Sequence, residues 1–188
     1  SRSLDWNVMS KRKLKIRYAL NKNKYLLDPE VERLQSILQS FKDKDPRNCT
    51  LFWLLLHTGG RAQEILNLRK EDLNTFDQSV LIRGLKGSSD RELPLPEWLF
   101  QRLERLAPES ITDPLFGITY NRLRQIWELY RPVHKKLHSL RHTFAIRLYK
   151  KTKDLRLLQV ALGHRNITNT MIYADYTYSQ EELRKLIL

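Results

Sequence analysis

From Asp28 onward the apolar residues recur every three or four positions in one segment after another, and this helical period breaks only once. Asp28-Pro29-Glu30 reads as a helix start, with Asp28 as N-cap, proline in the first turn and an acid near the positive dipole end. Val31, Leu34, Ile37, Leu38 and Phe41 follow on one face. Asp45-Pro46 repeats the signal before Leu51, Phe52, Leu54, Leu55 and Leu56, a buried helix stopped near Gly59-Gly60. The pattern predicts further helices over 61–68, 97–107, 120–131, 139–150 and 155–162, and an amphipathic tail over 179–188. The break is Val80-Leu81-Ile82, a turn around Gly87-Ser88-Ser89-Asp90, and Glu92-Leu93-Pro94-Leu95, which together read as two strands joined by a long loop. Pro94 suits the end or edge of a strand, because it donates no ladder hydrogen bond. The expected fold is mainly α with a small antiparallel β-sheet.

A chain of 188 residues with 41% apolar content is long enough for one globular domain and a short appendage. Its formal net charge of +13 points to a polyanionic partner, and nucleic acid is the commonest. The first 24 residues carry eight Lys or Arg, Lys11, Arg12, Lys13, Lys15 and Arg17 among them, against the single acid Asp5. That segment reads as a basic arm able to lie along phosphates, or as a solvated linker, and the two are compatible. Cys49 is the only cysteine, so no intrachain disulfide can form, and a reducing interior such as the cytoplasm is the expected setting. No apolar run approaches the roughly 20 residues that a membrane-spanning helix needs.

Four segments carry the candidate chemistry: Thr58-Gly59-Gly60-Arg61-Ala62-Gln63-Glu64, Lys86 in the inter-strand turn, His138-Ser139-Leu140-Arg141-His142, and Leu162-Gly163-His164 followed nine positions later by Tyr173. Together they could form a phosphodiester site. Two arginines can hold the non-bridging oxygens of a phosphoryl group in planar forks that a lysine cannot copy. A nucleophilic tyrosine must lose a proton whose reference pKa is near 10, and a histidine can take that proton or orient the phenol. The departing sugar oxygen needs a proton in return, which a lysine on a mobile turn can supply.

These segments, from about Leu26 to Tyr178 and in the same order, resemble the tyrosine recombinase (phage integrase and Xer-like) family. The resemblance joins a glycine–arginine–acid box, a hairpin lysine, a His-x-x-Arg-His box and a Leu-Gly-His box. It implies a fold related to type IB topoisomerases. By position, Arg61 and Arg141 would clamp the scissile phosphate, Lys86 would be the acid to the leaving 5′-oxygen, and His138 the general base or positioner. His164 would hydrogen-bond the phosphate and Tyr173 would attack it. Glu64 matches the family's buried acid that steadies the basic groups, and His142 is expected as a packed or supporting histidine. The implied chemistry is a 3′-phosphotyrosyl intermediate with a free 5′-hydroxyl, needing no metal and no cofactor. The implied partners are double-stranded DNA, three further copies forming a tetramer on it from free monomers, and in some systems an accessory DNA-bending protein.

Residues 1–24 are thus expected as the arm, 25–178 as the catalytic domain, and 179–188 as a tail that docks on a neighbouring subunit or folds back on its own. Family members usually carry a helical domain ahead of the catalytic one, so the chain is expected to be a cut-down form of a longer protein rather than a short single-domain member like the fimbrial-switch invertases. Lys70 is an alternative to Lys86, and Tyr176 and Tyr178 are alternative phenols. His138 and His142 stand four apart, as zinc ligands do, but no third ligand is evident. Two other functions compete with strand exchange: relaxation of the type IB topoisomerase kind, and DNA binding by a silent site.

Overall fold

The computed structural model describes residues 20–174 and 180–188. The basic arm residues Lys11, Arg12, Lys13, Lys15 and Arg17, and the phenols Tyr176 and Tyr178, lie outside the described residues.

The described chain is helical around one small sheet, as the periodicity predicts. The helices are α1 (Asp28–Phe41), α2 (Pro46–Thr58), α3 (Ala62–Leu66), α4 (Glu97–Leu106), α5 (Tyr120–Tyr130), α6 (Ser139–Thr152), α7 (Leu155–Leu162), α8 (Thr168–Met171) and α9 (Gln180–Ile187). The strands are β1 (Leu73–Asn74), β2 (Ser79–Ile82) and β3 (Arg91–Pro94), antiparallel in the order β1-β2-β3. β3 is an edge strand that ends at Pro94, where a missing N–H costs nothing. The short β1, paired to β2 through Leu73–Val80 and Asn74–Ser79, has too few residues to show a period-2 pattern, and α8 is a single turn.

Two expected details change. Asp28 is the first helical residue and Leu27 is the N-cap, because Glu30 reaches back to accept from the Leu27 N–H at 2.8 Å. The 61–68 helix is only Ala62–Leu66; Arg61 sits at its N-cap in extended conformation, with its own N–H donating to Glu64 at 2.9 Å.

Helix α2 is the centre of the core, packed against α1, α3, α4 and α6 with Leu51, Phe52 and Leu54 fully buried. It stops at Gly59, whose φ of +63° suits a glycine and whose missing Cβ leaves room for the Phe144 ring of α6. A second, smaller cluster joins Leu20, Ala145, Ile146, Tyr149, Leu158, Leu162 and Tyr173, fastening α6 to α7 and to the turn after α8. Among the described residues no helix is long and apolar enough to cross a membrane.

Candidate active site

The sequence-predicted residues come from five places in the fold: the start of α3, the β2–β3 loop, the start of α6, the end of α7 and the turn after α8. Helix α6 sets the frame. His138 is its N-cap, and Arg141 and His142 lie in its first turn. Arg141 is 3% exposed, and its guanidinium donates to the Gly59 carbonyl at 2.7 Å and to the Leu162 carbonyl at 3.1 Å. The left-handed turns that end α2 and α7 therefore serve a common purpose, since each leaves a carbonyl for Arg141. Burial and the neighbouring Arg61 charge push the Arg141 pKa down to about 10, which leaves it cationic at neutral pH.

The end of α7 carries the second fixed point. Gly163 has φ +72°, and its N–H and the His164 N–H close the helix on Val160 and Gln159 at 3.1 Å each. A Cβ here would sit 2.7 Å from the Ser89 carbonyl oxygen and 2.8 Å from an Arg91 nitrogen. The β2–β3 loop passes that close because the Ser89 N–H donates to the Gly163 carbonyl at 2.8 Å and Ser88 bridges to His164. The His164 ring is held on both sides, with Nε2 3.1 Å from Arg141 and Nδ1 2.8 Å from the Thr170 hydroxyl. Arg141 can only donate, so Nε2 accepts and Nδ1 carries the proton. Burial, followed by the Arg141, Arg61 and Arg91 charges, pushes the His164 pKa down to about 4.

The loop itself is pinned to Arg61, which donates to the Ser88 hydroxyl. Lys86 is exposed in the turn closed by the Ser88 N–H on the Leu85 carbonyl at 2.7 Å. Lys70 is instead in the short turn that leads into β1. Beneath the loop, Glu64 is 1% exposed and meets Arg91 in a bidentate pair at 2.8 and 2.9 Å. Burial pushes the Glu64 carboxyl up, but hydrogen bonds from Arg91 and the Arg61 N–H, with the charges of Arg91 and Arg141, hold it below the usual carboxylate range.

Tyr173 is 2% exposed, and its hydroxyl lies 2.8 Å from Nδ1 of His142. Burial raises the phenol to about 12 despite the opposing pull of Arg141 and Arg61. The His138 ring packs edge-on against His142, with centroids 4.7 Å apart. His138 keeps an exposed rim; partial desolvation, then Arg141 and Arg61, lower its pKa. A cleft of about 230 Å³ opens over Arg61, His138 and Arg141, with Gln63, Leu85 and Tyr120 on its walls. A second, of about 480 Å³, adjoins it at His138 and is lined by Lys24, Arg131, Lys136 and His142. Both are walled by cations, so a phosphodiester is the chemistry they suit.

The fold thus brings Arg61, Glu64, His138, Arg141, His142, His164 and Tyr173 to one place, with Lys86 on a loop bonded to it. Three participants were not foreseen. Arg91 had a signal: Arg91, Leu93 and Leu95 alternate on one strand face, which places the arginine on the apolar side. Ser88 and Thr170 had none, since their partners are 27 and 6 residues away and arrive only with the tertiary fold.

The profile of the Phage integrase family matches residues 24–180. That span is most of the chain. The chain belongs to the phage integrase family. Tyrosine recombinase XerA of Pyrococcus horikoshii is 32% identical over 169 residues, which cover 82% of this chain and 57% of that protein. This chain therefore spans little more than half the length of that curated relative. The XerH site-specific recombinase bound to difH substrate in a pre-cleavage complex superposes with a TM-score of 0.67 and 27% identity, over 87% of this chain and 53% of that one. The catalytic domain of bacteriophage HP1 integrase, at TM-score 0.63 and 24% identity, shares the fold over 87% of this chain and 94% of its own.

Proposed function

We propose that this chain is the catalytic portion of a site-specific recombinase that cuts and rejoins DNA through a covalent bond between Tyr173 and a 3′-phosphate. One observation carries the reading: the buried phenol of Tyr173, the Arg141 guanidinium and the His164 imidazole share one site with Arg61, all within a single chain. Arg61 and Arg141 bind the non-bridging oxygens, and His164, whose Nε2 accepts from Arg141, holds that guanidinium in place for them. The Tyr173 oxygen attacks phosphorus in line as the bond to the 5′-oxygen breaks, and Lys86 gives that oxygen its proton. His138, on the rim, positions the phosphate or serves the proton transfer. The phosphodiester energy is kept in the Tyr–P bond, so rejoining needs no external energy source, and the cationic side chains supply the charge that a metal supplies elsewhere.

The partner is double-stranded DNA, which the basic arm (Lys11, Arg12, Lys13, Lys15, Arg17) would track, and the working assembly is a tetramer on DNA, in the cytoplasm. Helix α9 supports the assembly: Leu186 and Ile187 are 68% and 74% exposed, an apolar face suited to a neighbouring protomer.

A nicked suicide duplex, enriched from a randomised pool by covalent capture, tests the reading. The chain should form an SDS-stable DNA adduct, Tyr173→Phe should not, and EDTA should leave the yield unchanged. Adduct formation by Tyr173→Phe would move the nucleophile to Tyr176 or Tyr178. Efficient relaxation of a site-free supercoiled plasmid would favour a topoisomerase, and DNA binding with no adduct a silent binding domain.

A further inference from the structure

Resting on that reading, the geometry around the nucleophile assigns a second histidine to the chemistry. His142 Nδ1 lies 2.8 Å from the Tyr173 hydroxyl, and this is the hydrogen bond that the phenol makes among the described residues. His138 makes no such bond; it packs edge-on against His142, with ring planes at 88°, and faces both clefts. We propose that His142 takes the phenolic proton of Tyr173 during attack on DNA, while His138 buttresses the His142 ring.

Three features support this assignment. First, His142 follows Arg141 directly on α6, a helix of 14 residues. The phosphate clamp and the proton acceptor are then carried on one rigid turn, which fixes the attack geometry. Second, a neutral imidazole has one acceptor nitrogen, and a bond from the phenol to Nδ1 places the ring proton on Nε2. The ring is half-buried and lines the larger cleft, so the second nitrogen has a route to solvent for the proton gained at the first. Third, the charges around the pair hold it off until DNA arrives. Burial, then His138, Arg141 and Lys24, push the His142 pKa down to about 3, while the phenol stays near 12. A phosphodiester seated between Arg61 and Arg141 counters those cations, and the forming O–P bond acidifies the phenol as the reaction proceeds.

The step balances. The Tyr173 O–H bond breaks and its proton goes to His142 Nδ1; the Tyr O–P bond forms; the P–O5′ bond breaks, and O5′ takes a proton from Lys86. In rejoining, the 5′-hydroxyl attacks and its proton passes back to the neutral Lys86, the Tyr–P bond breaks, and His142 returns its proton to the departing phenolate.

The test uses the nicked duplex selected above and the same duplex with sulfur in place of the bridging 5′-oxygen, which makes a good leaving group without protonation. His142→Ala and His142→Asn should each slow adduct formation by roughly 100-fold or more on both substrates, with DNA retention within about threefold of the parent. Asn keeps an acceptor near Nδ1 but not its basicity. An Asn variant within tenfold of the parent reduces His142 to orientation and overturns the assignment. So does an Ala variant within tenfold, or one that the sulfur substrate restores. Tyr173→Phe loses the same hydrogen bond, and its thermal midpoint shows how much of any change is folding. If the parent forms no adduct, the recombinase reading itself fails; if the parent reacts and the histidine variants keep pace, only this assignment does.

Discussion

Arg91 and Glu64 form a bidentate ion pair, 2.8 and 2.9 Å long, beneath the β2–β3 loop, with both side chains essentially sealed from solvent. The pair is the keystone between two parts of the site. Glu64 also accepts the Arg61 N–H, and Arg91 also donates to the Ala161 carbonyl at 3.2 Å, near the end of α7. Its net worth is modest, because two buried charges lose their hydration, but loss of either partner strands the other.

Glu64→Gln and Arg91→Met should therefore each destabilise the fold by about 3–5 kcal/mol. The double variant should cost clearly less than the sum, since it strands no charge. Urea unfolding of the four proteins measures this; additive costs would show that the two side chains act independently.

Gly163 is the second structural test. Alanine at φ +72° is strained, and its Cβ meets the Ser89 carbonyl, held close by the Ser89 N–H bond to Gly163, and Arg91, which is held by the Glu64 pair. Gly163→Ala should cost about 2 kcal/mol or more. Because the β2–β3 loop is hung on this glycine, adduct formation should fall further than DNA retention does. Equal losses in both would mean that the loop does not depend on the Gly163 turn.

Lys86 offers the opposite case, an exposed side chain on a turn that backbone bonds hold. It is exposed on the turn between Leu85 and Ser88, so Lys86→Ala should leave the unfolding midpoint unchanged while slowing cleavage more than binding. Lys70→Ala, from a turn outside the loop, is the control and should keep cleavage at parental rates. A matching loss in cleavage and binding for Lys86→Ala would reduce it to a phosphate contact.

Helices α1, α4, α5 and α7 were legible because each buries one apolar stripe, although the caps misplaced the start of α1 and the periodicity overran α3. The site was legible as a set of residue types, since two arginines, three histidines and a phenol at those spacings have few other uses. What the sequence hid was who touches whom. His142 was expected only to pack or support, yet it is the ring on the Tyr173 hydroxyl, while His138 faces outward. That choice follows from the tertiary packing of α6 beside α7 and the Tyr173 turn, in the cluster of Ala145, Ile146, Leu158 and Tyr173, rather than from any local motif. Arg91 was missed for another reason: the strand was read as starting at Glu92, one residue late, so the arginine that heads its apolar face fell outside it, and a buried cation is intelligible only once Glu64 is seen opposite.

The site's histidines should also govern how the protein responds to acid. His142 and His164 are held neutral, with pKa values pushed down to about 3 and about 4 by burial and by neighbouring positive charges; His57 and His138 shift in the same direction. An unfolded chain would protonate them near pH 6.5. Between that value and the folded pKa the unfolded state binds more protons, so stability is full above about pH 6.5 and falls as the pH drops towards 4. Each histidine adds at most about 1.4 kcal/mol per pH unit to the slope, less where solvent reaches the ring. Glu64, whose folded pKa is depressed, adds a further loss only below about pH 4.3. Urea midpoints should therefore stay level from pH 7.5 to about 6.5 and fall from there to pH 5, and His142→Asn and His164→Asn should each flatten the fall. A parental curve that stays level over this range would mean that the two rings accept protons in the folded protein and are not held neutral by the arginines around them.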